Sequence, residues 1–142
     1  MIDSFRGEYF FLSNFYEAPV TFEGLTFMNN EAAFQAMKTQ DIAEREKFTE
    51  MDPNRAKYHG RRVKLRYDWE AVKFDIMLDI CRAKFAQNDE LAQKLLETDG
   101  EELVEGNTWR DTTWGVYNGK GKNWLGKILM QVRDELKEKN DV

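Results

Sequence analysis

Helix-start signals that recur after residue 28 are the feature that most constrains how this chain can fold. Five segments begin with a side chain that commonly caps helices, and the candidates are Asn29 or Asn30, Asp52 before Pro53, Asp68, Asn88 or Asp89, and Asn123. Apolar residues follow these starts at helical spacing, most clearly along residues 69–85. The charged residues 41–50 predict one more short, exposed helix, and the tail from Lys137 is expected to fray. Five or six unequal helices predict an irregular array rather than a regular bundle.

The first 28 residues have a β-like pattern instead. Val20-Thr21-Phe22 and Leu25-Thr26-Phe27 flank the pair Glu23-Gly24, which is a typical two-residue hairpin turn. The aromatic run Tyr9-Phe10-Phe11 also favours extended chain. The predicted fold class is therefore mainly α, with long and short helices and a small N-terminal β-hairpin.

Length and composition exclude several classes of protein. A chain of 142 residues with 42% hydrophobic residues predicts one domain over residues 1–142. The net charge of -5 argues against a broad nucleic-acid surface and leaves room for a local basic patch. Cys81 is the single cysteine and is expected in the core, and no zinc-like spacing occurs, so neither a metal nor a cofactor is predicted. Without a signal pattern or an apolar run of roughly 20 residues, a cytoplasmic protein with no membrane partner is expected.

Glu31 is the first candidate for chemistry. It lies in the first turn of a predicted helix, beside residues that should face inward. One interpretation is a favourable interaction with the helix dipole, worth about 0.3–1 kcal/mol. The other is a positioned carboxylate that stabilises positive charge on a sugar or activates water. Gln35 and Lys38 follow at helical spacing, so Lys38 is close enough to act on Glu31 or to serve as an amine nucleophile.

Two basic or glycine-rich segments favour anions. Arg61 and Arg62 follow Gly60, and a guanidinium binds two phosphate oxygens at once, although for this segment alone a solvated basic loop is the favoured alternative. Residues 119–126 form a glycine-rich loop that enters the last helix, but their spacing matches neither nucleotide-binding fingerprint, so this signal is weak.

A tryptophan-rich segment lies outside any amphipathic pattern. Trp109 and Trp114 flank Asp111, and Gly115 follows. A tryptophan in a loop can be the flat wall on which a base stacks, and Asp111 could bind a ribose hydroxyl or act as a second acid or base. Alternatively, both indole rings fill gaps between helices.

Together these residues resemble the YbiA-like N-glycosidase family, also called the NADAR family. The resemblance runs in order through almost the whole chain. The matching pieces are Leu12-Ser13-Asn14-Phe15, Gly24, Glu31-x-x-Phe34-Gln35-Ala36-x-Lys38, Gly60-Arg61, Trp69 with Val72-Lys73 and Met77, Lys84-Phe85, Leu95-Leu96-x-Thr98, Leu103-x-Glu105, Asp111-x-x-Trp114-Gly115, and Gly121-x-Asn123-x-Leu125-Gly126-x-x-Leu129-Met130. No single piece is specific, whereas their order and spacing are.

The resemblance implies a mainly helical fold and hydrolysis of an N-glycosidic bond. The substrate classes it implies are phosphoribosylamino-pyrimidine intermediates of riboflavin synthesis or ADP-ribose linked to guanine, free or within nucleic acid. Glu31, Trp69, Asp111 and Trp114 match the family's active-site positions, and Lys38 matches a lysine that could form a Schiff base with ring-opened ribose. The remaining substrate-binding candidates on or beside matching motifs are Asn14, Phe15, Gln35, Arg61, Arg62, Trp109, Gly115 and Asn123.

One departure leaves alternatives open. Family members usually carry a histidine directly after the motif glutamate, where this chain has Ala32. A module that binds a nucleotide or ADP-ribose without cleaving it is the first alternative. A helical adaptor with aromatic contacts to a protein partner is the second.

Overall fold

A computed structural model describes residues 1–140. A 3-10 helix at Gly7–Leu12 precedes strands β1 (Glu17–Phe22) and β2 (Leu25–Asn29). The remaining elements are α1 (Asn30–Ala36), α2 (Ile42–Lys47), a 3-10 turn at Phe48–Glu50, α3 (Pro53–Gly60), α4 (Trp69–Gln87), α5 (Asp89–Leu96) and α6 (Trp124–Asn140). The predicted fold class, mainly α with a small N-terminal hairpin, is confirmed.

Contacts within the chain divide it into two compact units. The central unit is Asn14–Asn88, and the terminal unit combines Met1–Ser13 with the chain from Asp89 onward. The central unit contains the hairpin and α1 to α4, whereas the terminal unit contains the first 3-10 helix, α5 and α6. The single domain over residues 1–142 stays a prediction.

The hairpin forms around the predicted turn. Glu23 and Gly24 have φ of 51° and 80°, the left-handed pair that a tight two-residue hairpin requires. Val20 pairs with Phe27, and both side chains are completely buried. One face of this two-stranded ribbon therefore belongs to the core of the central unit.

The prediction for the aromatic run before the hairpin was wrong. Tyr9-Phe10-Phe11 lies in the 3-10 helix Gly7–Leu12 rather than in extended chain. Gly7 turns the backbone at φ 58°, and the N–H of Tyr9 and of Ser13 bond to carbonyls three residues back. Local hydrogen bonds thus satisfy the backbone that a strand would have had to pair with a neighbour.

Two predicted helix caps, Asn29 and Asp52, are confirmed, and Asp41 caps a third helix whose cap was not predicted. Asn29 Oδ1 accepts from the N–H of Ala32 at 2.8 Å, and Asp41 and Asp52 cap α2 and α3 in the same way. Asp68 precedes α4 without capping it, because its carboxylate bonds to the Arg66 guanidinium at 2.6 Å. The capping residues therefore locate the helices of the central unit to within a residue or two.

Helix α4 supplies much of the central core. Met77, Ile80, Cys81 and Phe85 are almost or fully inaccessible to solvent. The expectation that Cys81 is a core residue is confirmed, and burial raises the pKa of its thiol to about 12. Lys84 is also fully buried, and desolvation lowers the pKa of its ammonium to about 8.

Helix α6 anchors the terminal unit. Leu125, Ile128, Leu129 and Val132 form its buried stripe. The predicted fraying from Lys137 is not observed, since the helix runs to Asn140 and Lys137 Nζ lies 2.9 Å from Asp99 Oδ2. Across residues 1–140, no helix combines the length and the apolar character needed to cross a bilayer.

Candidate functional site

Glu31 lies in the first turn of α1, nearly enclosed by protein. Its backbone N–H donates to the Asn14 carbonyl at 3.1 Å, and the Asn29 cap holds the same turn. The Glu31 side chain is only 8% exposed, although a carboxylate normally stays in water. The Asn29 cap and the contact with Asn14 together fix where this acidic group lies.

Gln35 lies one turn further along α1 and contacts Glu31 directly. Its Nε2 donates to Glu31 Oε1 at 3.3 Å, and the Gln35 side chain is 5% exposed. The predicted pairing of these two residues on one helix face is confirmed by this hydrogen bond. The role of Gln35 as a substrate-binding residue stays a prediction.

Lys38 lies just after α1, partly buried, in a mainly cationic surrounding. Burial lowers the pKa of its ammonium, and the charge of Glu31 opposes that shift. The positive charges of Arg61, Lys73 and Lys57 lower the pKa of Lys38 further. These groups come from α1, α3 and α4, so one carboxylate and four cations converge in the central unit.

The turn before α4 hydrogen-bonds to the backbone at Lys38, just after α1. The N–H of Arg66 donates to the Lys38 carbonyl at 2.7 Å, while the Arg66 side chain pairs with Asp68. Trp69 follows at the start of α4, is 6% exposed, and packs its ring on Phe34 with centroids 5.0 Å apart. Trp69 is thus buried against α1, and its role in substrate binding stays a prediction.

Asn14 and Phe15 flank α1 from the other side. Asn14 Oδ1 accepts from Asn30 Nδ2 at 3.4 Å, and Asn14 Nδ2 contacts the Met77 sulfur at 3.5 Å. The Phe15 ring has the Lys57 ammonium 5.8 Å from its centroid. Asn14 therefore supports the first turn of α1, and Phe15 contacts one of the four cations.

The two predicted phosphate arginines differ in their surroundings. Both are exposed, but only Arg61 belongs to the groups that act on Lys38. Arg62 hydrogen-bonds to the Tyr58 hydroxyl and stacks its guanidinium 4.7 Å from the centroid of that ring. Arg61 is therefore the better candidate for an anion next to Lys38.

Asp111, in the terminal unit, holds a turn of the backbone. Its Oδ1 accepts from the N–H of Thr113 at 3.0 Å and of Trp114 at 2.9 Å. The Asn107 side chain bonds to both the N–H and the carbonyl of Asp111. These bonds fix the loop through Asp111 Oδ1, and the catalytic role of Asp111 stays a prediction.

The tryptophans of this loop have different environments. Trp109 is 53% exposed, whereas Trp114 meets Trp124 edge to face with centroids 5.4 Å apart. Gly115 is buried, and a Cβ there would lie 1.9 Å from Glu105 Oε2. Gly115 is thus required by close packing against Glu105, whatever else it contacts.

Asn123 has a structural use that the sequence alone did not reveal. Its Oδ1 accepts from the N–H of Glu105 at 3.0 Å, and its Nδ2 donates to the Leu103 carbonyl at 2.9 Å. Asn123 was considered as a side-chain cap for α6, but its amide is instead committed to residues 103–105. Substrate binding by Asn123 stays a prediction.

Three residues near Glu31 were missed as site candidates by sequence reasoning. Lys57 and Lys73 add positive charge around Lys38, and the Phe34 ring packs against the Trp69 ring. Lys73 follows Trp69 by four residues, which places both on one face of α4, so helical spacing was a usable signal. Lys57 comes from α3, and only tertiary structure brings it to this cluster.

Two further observations describe what surrounds the predicted residues. Ala32, where relatives usually carry histidine, is completely buried, so an imidazole there would require neighbours to move. Over residues 1–140, no group of three or more metal-binding side chains occurs.

A shallow hollow of about 640 Å³ lies within the terminal unit, lined by residues that include Asp3, Arg6 and Asn107. None of the predicted site residues of the terminal unit lines it.

Known proteins resemble this chain in sequence and in structure. The sequence matches the family model described as the NADAR domain over residues 4–137. N-glycosidase YbiA of Shigella flexneri serotype 5b (strain 8401) is 44% identical over 128 residues, which cover 87% of this chain and 79% of that protein. The NMR structure of the Escherichia coli protein YbiA matches with a TM-score of 0.85 and 37% identity, covering 99% of this chain and 89% of that one.

A longer relative shares the same region. A riboflavin biosynthesis protein of Vibrio vulnificus (strain YJ016) is 37% identical over 132 residues, or 90% of this chain, and the chain spans 36% of that protein. N-glycosidase R617 of Acanthamoeba polyphaga mimivirus is 39% identical over 93 residues, which cover 56% of this chain and 54% of that protein.

The helical array with its hairpin and the family match over most of the sequence define the class. The chain belongs to the NADAR domain family. By class it is an N-glycosidase, a hydrolase acting on N-glycosyl bonds.

Proposed function

We propose that this protein hydrolyses the N-glycosidic bond between a nitrogen base and a phosphorylated ribose, with Glu31 as the catalytic carboxylate. The observation that supports this most is the convergence of one buried carboxylate with Lys38, Lys57, Arg61 and Lys73. An acidic group can stabilise a cationic sugar, and clustered cations can hold a phosphate beside it.

The reaction needs few groups. As the bond between C1′ and nitrogen breaks, its electron pair stays on the base, which takes up a proton. Positive charge builds on the ribose, and the Glu31 carboxylate stabilises that charge in a site with little water. Water then adds its hydroxyl to C1′ and gives its other proton to the carboxylate whose acid form protonated the base, which restores the starting state.

Lys38 offers a covalent form of the same reaction. Because burial and neighbouring cations lower its pKa, Lys38 carries more neutral amine at neutral pH than an exposed lysine does. That amine can add to the C1 aldehyde of ring-opened ribose, lose water to give a Schiff base, and be released by hydrolysis. Incubation with ribose 5-phosphate and sodium cyanoborohydride should then attach a pentose phosphate to Lys38, detectable by peptide mass spectrometry.

A second set of proposed residues lies within the terminal unit. Asp111 Oδ2 is the proposed second acid or base, and Trp114 or Trp109 is the proposed stacking surface for the base. This assignment rests on the family motif positions together with the bonds that hold Asp111 in its turn. Asp111→Asn keeps those bonds and removes the charge, so a fully active Asp111→Asn protein would exclude an acid–base role.

The first substrate class to test is a phosphoribosylamino-pyrimidine, because a riboflavin biosynthesis protein is among the relatives. Wild-type protein should release free base from such a compound, as chromatography would detect. If the protein releases no free base from any candidate substrate but melts at a higher temperature with ADP-ribose, it is the binding module instead. An adaptor for a protein partner predicts neither base release nor a thermal shift.

A second candidate substrate, ADP-ribose linked to guanine in nucleic acid, is favoured by a separate observation. Residues 55–67 contain six Lys or Arg and no Asp or Glu, although the chain as a whole is acidic. Tyr58 and Tyr67 in this segment are 56% and 94% exposed. Exposed basic and aromatic side chains together are typical of surfaces that contact single-stranded nucleic acid.

Matched substrates separate the two candidates. The same ADP-ribosyl guanine linkage would be presented once as a mononucleotide and once within an oligonucleotide. If the basic segment contacts a polynucleotide, Lys64→Gln and Tyr67→Ala should slow only the oligonucleotide reaction, and added salt should have the same effect. Lys127→Gln removes an exposed charge from α6 and serves as the control. Equal rates for all variants would leave the free metabolite as the substrate.

A further inference from the structure

The Gln35 side chain has an unusual environment for a buried amide. Its donor end is used, because Nε2 bonds to Glu31 Oε1 at 3.3 Å. Its acceptor end is not used, since Oε1 is buried without a hydrogen-bond partner among residues 1–140. A buried acceptor without a partner carries a free-energy cost, so a native protein keeps one only where something else requires that orientation.

Gly60 explains what holds the amide in place. A Cβ built on Gly60 would lie 2.0 Å from Gln35 Oε1 and 2.8 Å from Cδ. A side chain at position 60 would therefore require the Gln35 carboxamide to move. Rotating the amide by half a turn would place Oε1 against the Glu31 carboxylate, where two acceptors repel each other.

We infer that Gln35 is a positioning residue for Glu31 and that Gly60 is glycine in order to leave room for it. The carboxamide directs an N–H at the Glu31 carboxylate and favours its ionised form, oriented for the reacting sugar. This inference rests on the proposed catalytic role of Glu31 and adds the pair that holds it. Residue 60 would then act on the reaction through Gln35 without touching substrate.

A measurement that needs no turnover tests the inference first. Glutamate side chains would be labelled with ¹³C at the carboxyl carbon, and the Glu31 signal, assigned by its loss in Glu31→Gln, would be followed with pH. Gln35→Met removes the donor at similar volume and should move the Glu31 titration to higher pH. Lys38, whose ammonium interacts with the Glu31 charge, and Lys57, Arg61 and Lys73, which act on Lys38, are unchanged in this variant.

Gln40→Met is the matched control, because Gln40 is exposed and lies outside the cluster. It should leave the titration of Glu31 unchanged. A Glu31 titration that is the same in wild type and in Gln35→Met would overturn the inference.

Kinetics provide an independent readout in active protein. Gln35→Met should lower kcat about 10- to 100-fold with little change in KM, as expected for loss of one hydrogen bond to a charged group. Gln35→Glu can replace the amide donor only while its new carboxyl is protonated. Its activity relative to wild type should therefore rise as pH falls from 8 to 5, and a purely structural role would give a constant ratio.

Gly60 is tested by a double-mutant cycle. Gly60→Ala should lower kcat, because the added methyl group displaces the carboxamide, whereas the same change in a Gln35→Ala background should have no further effect. Additive losses would mean that Gly60 acts independently of Gln35. If wild-type protein releases base but Gln35→Met is as active, only this inference fails. If wild type cleaves no substrate, the proposed function fails and the titration still decides the role of Gln35.

Discussion

The candidate site residues of the two compact units use their polar side chains differently. In the central unit, the buried side chains of Glu31 and Gln35 hydrogen-bond to each other, Gln35 Oε1 has no hydrogen-bond partner among residues 1–140, and Lys38 has a lowered pKa. In the terminal unit, Asp111 and Asn123 direct their side chains at backbone N–H and carbonyl groups. The central unit therefore retains polar groups at a cost in stability, which is typical of sites for chemistry, while the terminal unit mainly uses them to shape a loop.

Glu31→Gln is expected to have the largest effect in this comparison. The amide is isosteric but cannot stabilise a cationic sugar, so base release should fall about 100- to 1,000-fold while the melting temperature stays within a few degrees. Glu46→Gln, at an exposed position of α2, is the control and should retain full activity. Undiminished turnover by Glu31→Gln would show that the buried polar groups of the central unit are not kept for chemistry, which is the main distinction drawn between the two units.

Lys84 extends the comparison to the core of the central unit. Its folded pKa of about 8 is below the ordinary 10.5, so the unfolded chain binds more protons between those values and stability rises with pH there. Below pH 8 the ammonium destabilises the fold by about 3 kcal/mol. Lys84→Met should therefore be more stable than wild type at pH 7, with a difference that narrows toward pH 10.

Chemical denaturation at several pH values measures this difference. The Cys81 thiol has its pKa raised to about 12, so its own contribution decreases with pH above 9, opposite to that of Lys84. Carrying out the comparison in a Cys81→Ala background removes that opposing effect. A stability gap that does not change with pH would show that Lys84 is not the titrating group.

Replacing Arg133 in the terminal unit should lower the stability of the protein, whereas Lys84→Met should raise it. Arg133 is also buried, but its guanidinium donates to the carbonyls of Thr98 at 2.8 Å and Glu101 at 2.9 Å. Arg133→Met removes these hydrogen bonds, of which the one to Thr98 is to a carbonyl that also accepts from the N–H of Glu101, and should destabilise the protein by about 2 kcal/mol. Equal and same-signed effects of Arg133→Met and Lys84→Met in denaturant titrations would contradict the contrast between the units.

The smallest expected effect concerns the Asp111 turn. Asp111→Ala removes the acceptor for two backbone N–H groups and should cost about 1 kcal/mol, whereas Asp111→Asn keeps an oxygen there and should cost less. Thermal melts of both variants provide the comparison. Identical melting temperatures would indicate that the carboxylate does not hold the loop.

The sequence predicted the central unit better than the terminal one. The caps at Asn29, Asp41 and Asp52 act on residues two or three positions away, so helix starts there could be read from the chain. Glu31 and Gln35 are related by one helical turn, so their contact also followed from spacing. Local geometry was sufficient for both.

The remaining features depend on contacts between segments far apart in the sequence. Lys57 reaches the Glu31 cluster from α3, and Asn123 bonds to residues 103–105 across a loop. The aromatic run Tyr9-Phe10-Phe11 has the propensity of a strand but forms a 3-10 helix. For Lys57 and Asn123 the deciding interaction is set by tertiary structure, which periodicity and capping do not report.

The central claim is that the carboxylate at position 31 faces the anomeric carbon during bond cleavage. A crystal structure of Glu31→Gln soaked with ribose 5-phosphate or ADP-ribose tests it most directly. The account predicts C1′ within about 3.5 Å of the residue-31 side chain, with the phosphate among Lys57, Arg61 and Lys73. A ligand bound with C1′ far from residue 31 would contradict it.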